Sequence, residues 1–314
     1  MTKRVAIIGS GMAGLAAARV LRGSGASCVI FDKSRGLGGR MSTRRVGDLT
    51  FDHGAQYFTA RGPRFAALVE EWRSGGVAAH WFGEAIVGSP GMTAPARAMA
   101  QGFETIMGFE VTSLRRESSG WSLVAGEASH GGFDAVIVAT PAPQAAPILA
   151  AGGASFPALA SVRYAPCLAL MLAFDGPVAF EGGHLRPESG PIAWIARNSS
   201  KPGRNDSAKT FVVHAGPEWS RAHLDETPEA ILEKLKRYAL DLIGAPSAPI
   251  YAAAHRWRYA LVEQAAGASC FWDAQAGLGA CGDYCLGPRV EAAFDSGEAM
   301  ARAVLESWGV HVAA

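Results

Sequence analysis

The segment RVAIIGSGMAGLAAARVLRGSGASCVIFDK, near the start of this 314-residue chain, limits the possible folds more than any other. Its pattern predicts a buried strand, a glycine turn, a helix and a second strand that ends at Asp32. Gly9, Gly11 and Gly14 have the G-x-G-x-x-G spacing, which permits a tight turn, close approach of a pyrophosphate and close helix–strand packing. The segment therefore predicts a βαβ unit that binds a dinucleotide.

Asp32 refines this prediction. It lies at the end of the second strand, where a carboxylate can accept both hydrogens of a ribose diol. An acid at this position, rather than an arginine, argues against a ribose 2′-phosphate in the site. NAD and FAD are the main cofactors that share the fingerprint, and the first segment alone does not choose between them.

A second glycine-rich loop, in DKSRGLGGRMSTRR, follows Asp32 directly. Gly36, Gly38 and Gly39 let this loop fold back over the pyrophosphate and place Arg40 against it. Nicotinamide dehydrogenases do not usually need such a loop, whereas FAD extends well beyond its pyrophosphate. The second loop therefore favours FAD.

The stretch FDHGAQYFT comes next and predicts a tight turn at Asp52, His53 and Gly54. The amide of Gln56 and the ring of Tyr57 follow this turn, where they could line a flavin ring. A single histidine such as His53 is more often packed than catalytic.

Composition restricts the partners. The 29 basic and 28 acidic residues give a net charge of +1, so no charge field indicates nucleic acid or an anionic membrane. The five cysteines are scattered without metal-ligand spacing, which predicts reduced thiols, no metal site and a cytoplasmic location. No stretch approaches the roughly 18 apolar residues that would span a bilayer.

GLGGRMSTRR together with FDHGAQYFT resembles the flavin amine oxidase superfamily, and GGRM followed by GAQYFT is most similar to its renalase branch. FDAVIVATPAP (133–143) resembles the second flavin-contacting strand of that superfamily, and HRWRYALV (255–262) resembles the renalase core. GLGACGDYCLGPRVEAAFDSGEAMA (277–301) resembles its closing segment. There Asp283 would reach the ribityl chain, and a helix beginning near Val290 would point its N-terminus at the flavin.

The resemblance implies an α/β fold with a FAD-binding, Rossmann-type domain like that of p-hydroxybenzoate hydroxylase and an interleaved α+β substrate domain. We expect the FAD-binding domain to comprise residues 1–60, 90–142 and 268–314, and the substrate domain residues 61–89 and 143–267. FAD is expected to bind non-covalently. Its predicted contacts are Gly9, Gly11, Met12, Ala13, Gly14, Asp32, Lys33, Gly39, Arg40, Gln56, Tyr57, Val111, Asp283 and Val290.

Many members of the superfamily carry a lysine that faces flavin N5, and the resemblance places it near HRWRYALV. That segment holds Arg256 and Arg258 instead. The renalase resemblance implies another reaction, in which flavin N5 takes hydride from the 2- or 6-dihydro isomers of NAD(P)H and O2 reoxidises the flavin, giving H2O2 and NAD(P)+. A dihydronicotinamide becomes an aromatic cation by losing hydride alone, so this reaction needs no general base and no catalytic side chain. The alternatives are a flavin amine oxidase or other small-molecule dehydrogenase, and a non-catalytic flavin-binding redox sensor.

A dinucleotide substrate also needs a phosphate contact. WIARNSSKPGR (194–204) offers Arg197, Lys201 and Arg204 on a loop that we expect to be mobile, although a merely solvated basic loop fits the same pattern. The nicotinamide pocket has three candidate wall residues, for which core packing is the alternative role; they are Trp194, Trp257 and Tyr259.

Overall fold

The computed structural model describes residues 2–245 and 247–310, so residues 1, 246 and 311–314 of the predicted domains lie outside it. The helices are α1 (Met12–Gly23), α2 (Pro63–Ser74), α3 (Ala94–Ala100), α4 (Ala142–Ala151), α5 (Pro217–Ala222), α6 (Pro228–Ile243) and α7 (Val290–Ser307). The strands are β1 (Arg4–Ile8), β2 (Ser27–Asp32), β3 (Arg44–Val46), β4 (Leu49–Phe51), β5 (Ala78–Phe82), β6 (Ala85–Gly88), β7 (Glu104–Met107), β8 (Ser113–Glu117), β9 (Gly120–Ala125), β10 (Ala128–Phe133), β11 (Ala135–Val138), β12 (Arg163–Phe174), β13 (His184–Leu185), β14 (Ile192–Arg197), β15 (Lys209–Ala215), β16 (Tyr251–Gln264), β17 (Phe271–Asp273) and β18 (Leu278–Ala280).

A six-stranded sheet forms the first layer, in the order β17-β18-β11-β1-β2-β7. All neighbours are parallel except β17, which pairs with β18 in antiparallel fashion. The apolar run of β1 is buried on both faces, because Val5 and Ile7 pack with α1 and α7 while Ala6 and Ile8 pack with α4 and β8–β10. The predicted α/β class with a Rossmann-type domain is confirmed.

A second sheet is antiparallel, with five strands in the order β13-β14-β15-β12-β16. One face carries alternate residues of β12, such as Leu168 and Leu170, which pack against α5 and α6. The opposite face carries Met171 and Val212, which pack against Phe51 of β4. This second face is therefore turned towards the loop that follows β4.

The strands of the parallel sheet come from four separate parts of the chain, whereas the five-stranded sheet comes from residues 163–264. On this basis we keep the division into the two interleaved domains as a proposal. Within the described residues, no helix combines the length and the apolar character needed to cross a membrane.

Candidate cofactor and substrate site

The first glycine loop is shaped by its contacts with the protein itself. Gly9 has φ +113°, and a methyl group at Gly14 would lie 2.1 Å from the Gly9 carbonyl oxygen. Helix α1 therefore begins directly against the loop, with Met12 and Ala13 buried in its first turn. No side chain caps this helix N-terminus, and a methyl group at Gly11 would meet nothing within 4 Å. Free N–H groups next to open space are what a bound pyrophosphate requires.

Asp32 lies at the carboxyl end of β2 and holds the loop in place. Its Oδ2 accepts hydrogen bonds from the backbone N–H of Ser10 (2.8 Å) and the Ser10 hydroxyl (2.6 Å). The neighbouring Lys33 side chain is exposed and lies 3.5 Å from Glu110. Val111 follows and is buried beside the same end of the sheet. These positions suit the ribose and the adenine side of a dinucleotide.

The second glycine loop lies directly on the first. The N–H of Gly38 donates to the Ser10 carbonyl (3.1 Å), and a methyl group at Gly39 would lie 3.6 Å from the Cα atom of Gly11. Arg40, at the end of this loop, donates two hydrogen bonds to the Asp283 carboxylate, at 2.8 and 2.7 Å. The sequence assigned Arg40 and Asp283 to separate parts of the cofactor, whereas the structure pairs them with each other.

Asp283 belongs to the closing segment, which α7 fixes in place. The N–H of Gly282 donates to the Ser296 hydroxyl on α7 (3.0 Å). A methyl group at Gly297 would lie 2.1 Å from the Ala13 carbonyl oxygen, so α7 touches α1 backbone to backbone. Helix α7 begins at Val290 without a side-chain cap, which leaves its first N–H groups free for a ligand. Both glycine loops, Asp32, Asp283 and two uncapped helix N-termini thus fit a long dinucleotide such as FAD.

A row of side chains crosses the five-stranded sheet on the face opposite α6. Strand register places Trp194, His214, Ala169 and His255 side by side on β14, β15, β12 and β16. Sequence reasoning missed both histidines, because the local pattern of neither strand indicates a role for them and only the register brings them together.

The loop that follows β4 lies over this row. The ring centroids of Tyr57 and Trp194 are 5.8 Å apart, and those of His53 and His255 are 4.7 Å apart. Nε2 of Gln56 lies 3.4 Å from Nε2 of His214. Gln56 and Tyr57, which the sequence predicts to line a flavin ring, therefore contact the five-stranded sheet directly.

Two of the predicted wall residues lie further along β16. Trp257 donates through Nε1 to the His53 carbonyl (2.9 Å), which attaches the loop to the strand. Tyr259 lies 5.4 Å from the Tyr164 ring, close to the point where Ala260 accepts a hydrogen bond from Arg40. Trp257 thus borders the histidine row, whereas Tyr259 lies near the Arg40–Asp283 pair.

Three histidines at this interface are uncharged at neutral pH. Burial lowers the pKa of His53 to about 3, helped by His255, and it lowers the pKa of His214 and of His255 to about 4. The imidazoles of this interface therefore carry no charge at neutral pH. Across the part of the chain that the structure describes, no cluster of His, Cys, Asp and Glu has a metal-binding arrangement.

Acid is expected to destabilise the fold between about pH 6.5 and pH 4. An unfolded histidine binds a proton near pH 6.5, whereas His214 and His255 stay uncharged in the fold down to about pH 4. The unfolded chain then holds more protons than the folded chain, so the free energy of unfolding falls as the pH falls. The measurement is the drop in melting temperature from about pH 7 to about pH 5, which we expect to be smaller in His255→Asn. His80→Asn, at an exposed position, serves as the control, and equal drops in both variants would contradict the prediction.

Lys201 and Arg204 correct the prediction of a mobile phosphate-binding loop. Both side chains are fully buried, and both donate to Oδ2 of Asp52, at 3.3 and 2.6 Å. Oδ1 of Asp52 accepts from the N–H of Met92 (2.9 Å) and the Thr43 hydroxyl (2.7 Å). Both side chains are buried and already donate to a carboxylate, so neither is available to a substrate phosphate. Arg197, half-buried at the end of β14, stays a prediction.

Lys201 also reaches the ring-lining loop. Its Nζ donates to Oε1 of Gln56 (3.2 Å) and lies 5.0 Å from the Trp81 ring. Burial lowers the pKa of Lys201 to about 8 despite the opposing effect of Asp52, and the two cations hold the pKa of Asp52 at about 2 although burial raises it. The superfamily resemblance led us to expect a lysine near residues 255–262, where the sequence has none. In the structure Lys201, from a different segment, lies next to Gln56 instead.

Comparison with known families and structures agrees with this geometry. The model of the NAD(P)-binding Rossmann-like domain matches residues 7–72, and the model of flavin containing amine oxidoreductases matches residues 72–305. Protoporphyrinogen oxidase 2, chloroplastic/mitochondrial, of Arabidopsis thaliana is 33% identical over 69 residues, which are 22% of this chain and only 14% of the plant protein.

Solved structures show the same fold over nearly the whole chain. A provisionally named protoporphyrinogen oxidase from Exiguobacterium sp. 255-15 has a TM-score of 0.76 at 12% identity, covering 97% of this chain and 99% of the other. Cyclohexylamine oxidase from Brevibacterium oxydans IH-35A has a TM-score of 0.72 at 13% identity, covering 98% and 100%. Putrescine oxidase bound to putrescine has a TM-score of 0.68 at 13% identity, covering 98% and 99%. At these identities the likeness establishes the fold alone.

Proposed function

The chain belongs to the flavin containing amine oxidoreductase family, with FAD as the expected cofactor, and from this premise we propose that it oxidises misreduced nicotinamide dinucleotides. The substrates are 2- or 6-dihydro-NAD(P). Each loses a hydride, and with O2 and one proton the products are NAD(P)+ and H2O2. Bound FAD supplies the two-electron oxidation and the reaction with oxygen.

We propose that the protein holds FAD non-covalently through the cradle described above. The N–H groups at the start of α1 would hold the pyrophosphate and Asp32 would hold a ribose. Arg40, which is paired with Asp283, would offer the pyrophosphate only its remaining N–H donors. Asp283 and the N-terminus of α7 would hold the part of the cofactor nearest the ring. Gln56 and Tyr57 would line the ring itself.

The neutral aromatic row under the loop is the observation that carries this proposal. Oxidation turns an uncharged dihydropyridine ring into an aromatic cation without removing a proton from it. Uncharged imidazoles at His214 and His255 do not repel the developing positive charge, as protonated ones would. The site needs only to hold that ring in a reactive position, for which Trp194 and Trp257 are the candidate wall residues.

Lys201 favours a second candidate, a flavin amine oxidase. It is a buried lysine with a pKa of about 8, and it lies 3.2 Å from the ring-lining Gln56. The superfamily resemblance leads one to expect a lysine that faces the flavin. Lys201 supports amine oxidation to that extent, although it is paired with Asp52.

Anaerobic mixing of the FAD-loaded protein with a substrate panel separates the two candidates. We expect rapid loss of the flavin absorbance with 2- or 6-dihydro-NAD, and none with cyclohexylamine or putrescine. Bleaching by an amine alone would replace the first candidate by the second. A flavin that is inert to every member of the panel would contradict both and favour a redox sensor.

A further inference from the structure

We infer that Arg186 binds the diphosphate of the dinucleotide substrate at the mouth of the site, an assignment that rests on the proposed function. Arg186 comes directly after β13, the edge strand of the five-stranded sheet. It thus lies beside β14, which carries Trp194, the end residue of the neutral row.

Two contacts fix the Arg186 guanidinium to the wall of the site. Nη2 donates to the Tyr57 hydroxyl (2.9 Å), and Cζ lies 4.7 Å from the centre of the Trp194 ring. Tyr57 belongs to the ring-lining loop and Trp194 to the row beneath it. One cation therefore contacts both sides of the interface in which we place the substrate ring.

The Arg186 guanidinium has further N–H donors available for a ligand. A guanidinium carries five N–H donors, and stacking on an aromatic face leaves them free in the plane. The Arg186 side chain is exposed, and no carboxylate among the described residues pairs with it. Lys201 and Arg204, by contrast, are fully buried and both pair with Asp52. An exposed, pre-positioned arginine without a counter-ion suits bidentate binding of a phosphate.

The aromatic surface continues past Trp194, away from His214 and His255. His184 stacks on Trp194, with centroids 4.9 Å apart and planes 17° apart, and on Phe82 at 3.9 Å and 20°. A dinucleotide carries two rings joined by a diphosphate. We place the second ring along this aromatic wall, with Arg186 next to it.

The test compares substrates that differ only in phosphate content, using the FAD-loaded enzyme. The substrates are a dihydronicotinamide riboside, its mononucleotide and its adenine dinucleotide. We expect Arg186→Ala to raise KM for the dinucleotide about tenfold or more, to leave its kcat unchanged and to leave KM for the riboside unchanged. Arg186→Lys should recover part of the lost affinity, because a lysine keeps the positive charge but lacks the paired N–H donors of the guanidinium.

Arg237 provides the matched control. It is another exposed arginine, stacked on Tyr238 (4.9 Å) and bonded to the Tyr238 hydroxyl (3.1 Å), but it lies on α6 across the sheet. Arg237→Ala should leave all three KM values unchanged. An Arg186→Ala enzyme with the wild-type KM for the dinucleotide would overturn the inference and leave the proposed function standing.

A binding measurement distinguishes failure of the Arg186 assignment from failure of the proposed function. ADP-ribose carries the diphosphate but no nicotinamide, so its titration into the FAD-loaded protein does not depend on turnover. We expect Arg186→Ala to weaken this binding about tenfold or more. If no dihydronicotinamide bleaches the flavin, the proposed function fails, whereas equal ADP-ribose affinity in wild type and Arg186→Ala overturns the role of Arg186.

Discussion

Replacing Asp52 by alanine is expected to lower the free energy of unfolding by about 3–5 kcal/mol. Asp52 is the only carboxylate that pairs with Lys201 and Arg204 among the described residues, and all three side chains are fully buried. The variant would leave two cations in the interior without a counter-ion, next to each other and out of reach of water. It would also leave the N–H of Met92 without its acceptor. Urea unfolding of the FAD-loaded protein, followed by tryptophan fluorescence, measures the change.

Asp225→Ala is the control for this experiment. Asp225 also pairs with an arginine, Arg258, at 2.8 Å, but both side chains are exposed to solvent. A pair of this kind contributes little to stability. If Asp52→Ala does not fold, Asp52→Asn retains the shape of the side chain and still removes its charge. A stability loss at Asp52 no larger than that at Asp225 would contradict the burial of the cluster.

Replacing Gly14 by alanine is expected to abolish stable FAD binding, so that the protein purifies without flavin absorbance. The added methyl group would lie 2.1 Å from the Gly9 carbonyl oxygen and 3.1 Å from the Ile7 side chain. Helix α1 would have to move away from the glycine loop, and its N–H groups would no longer point at the pyrophosphate. Flavin absorbance per protein, measured after incubation with excess FAD, reports the effect.

Gly23→Ala is the matched control on the same helix. Gly23 is exposed, and a methyl group there would meet nothing within 4 Å. Alanine favours a helix over glycine by about 1 kcal/mol, so this variant should bind FAD normally and melt at the same or a higher temperature. Full flavin content in Gly14→Ala would show that the loop does not need close contact with α1.

The parts of the site that sequence reasoning predicted are those fixed by local backbone chemistry. Gly9 and Gly14 are constrained by contacts within a few residues or with the neighbouring strand, so their spacing alone indicates the turn. The second glycine loop was predicted from its cluster of glycines, and Gly38 and Gly39 have φ values of +102° and +52°, which favour glycine. The second of these loops also carried the resemblance to flavin amine oxidases, and the family model matches the later residues 72–305.

The parts that sequence reasoning missed depend on partners far away in the chain. Lys201 appeared to belong to a solvated loop because its sequence neighbours are serine, proline and glycine, whereas its counter-ion, Asp52, is 149 residues away. Arg40 and Asp283 are 243 residues apart, and their pairing follows from how α7 packs on α1. The histidine row needs the register of four strands, which no local pattern encodes.

The renalase branch remains a proposal for a related reason. The fold is shared with oxidases at 12–13% identity whose names give different substrates, so the scaffold does not choose the chemistry. The side chains on the row and at its mouth are what would choose it. The anaerobic panel and the Arg186 variants examine those side chains directly.

The parallel sheet combines strands from the beginning and the end of the chain, which has a consequence for folding during synthesis. Strand β1 is flanked by β2 and β11, but β18 and β17 come from residues 271–280, and α7 then covers α1. The first glycine loop is therefore synthesised long before β17, β18 and α7, the elements that complete its surroundings. Pairing between such distant parts of a chain is slow. We therefore expect coenzyme capture to follow the translation of α7, so that a nascent chain stalled before that helix is colourless.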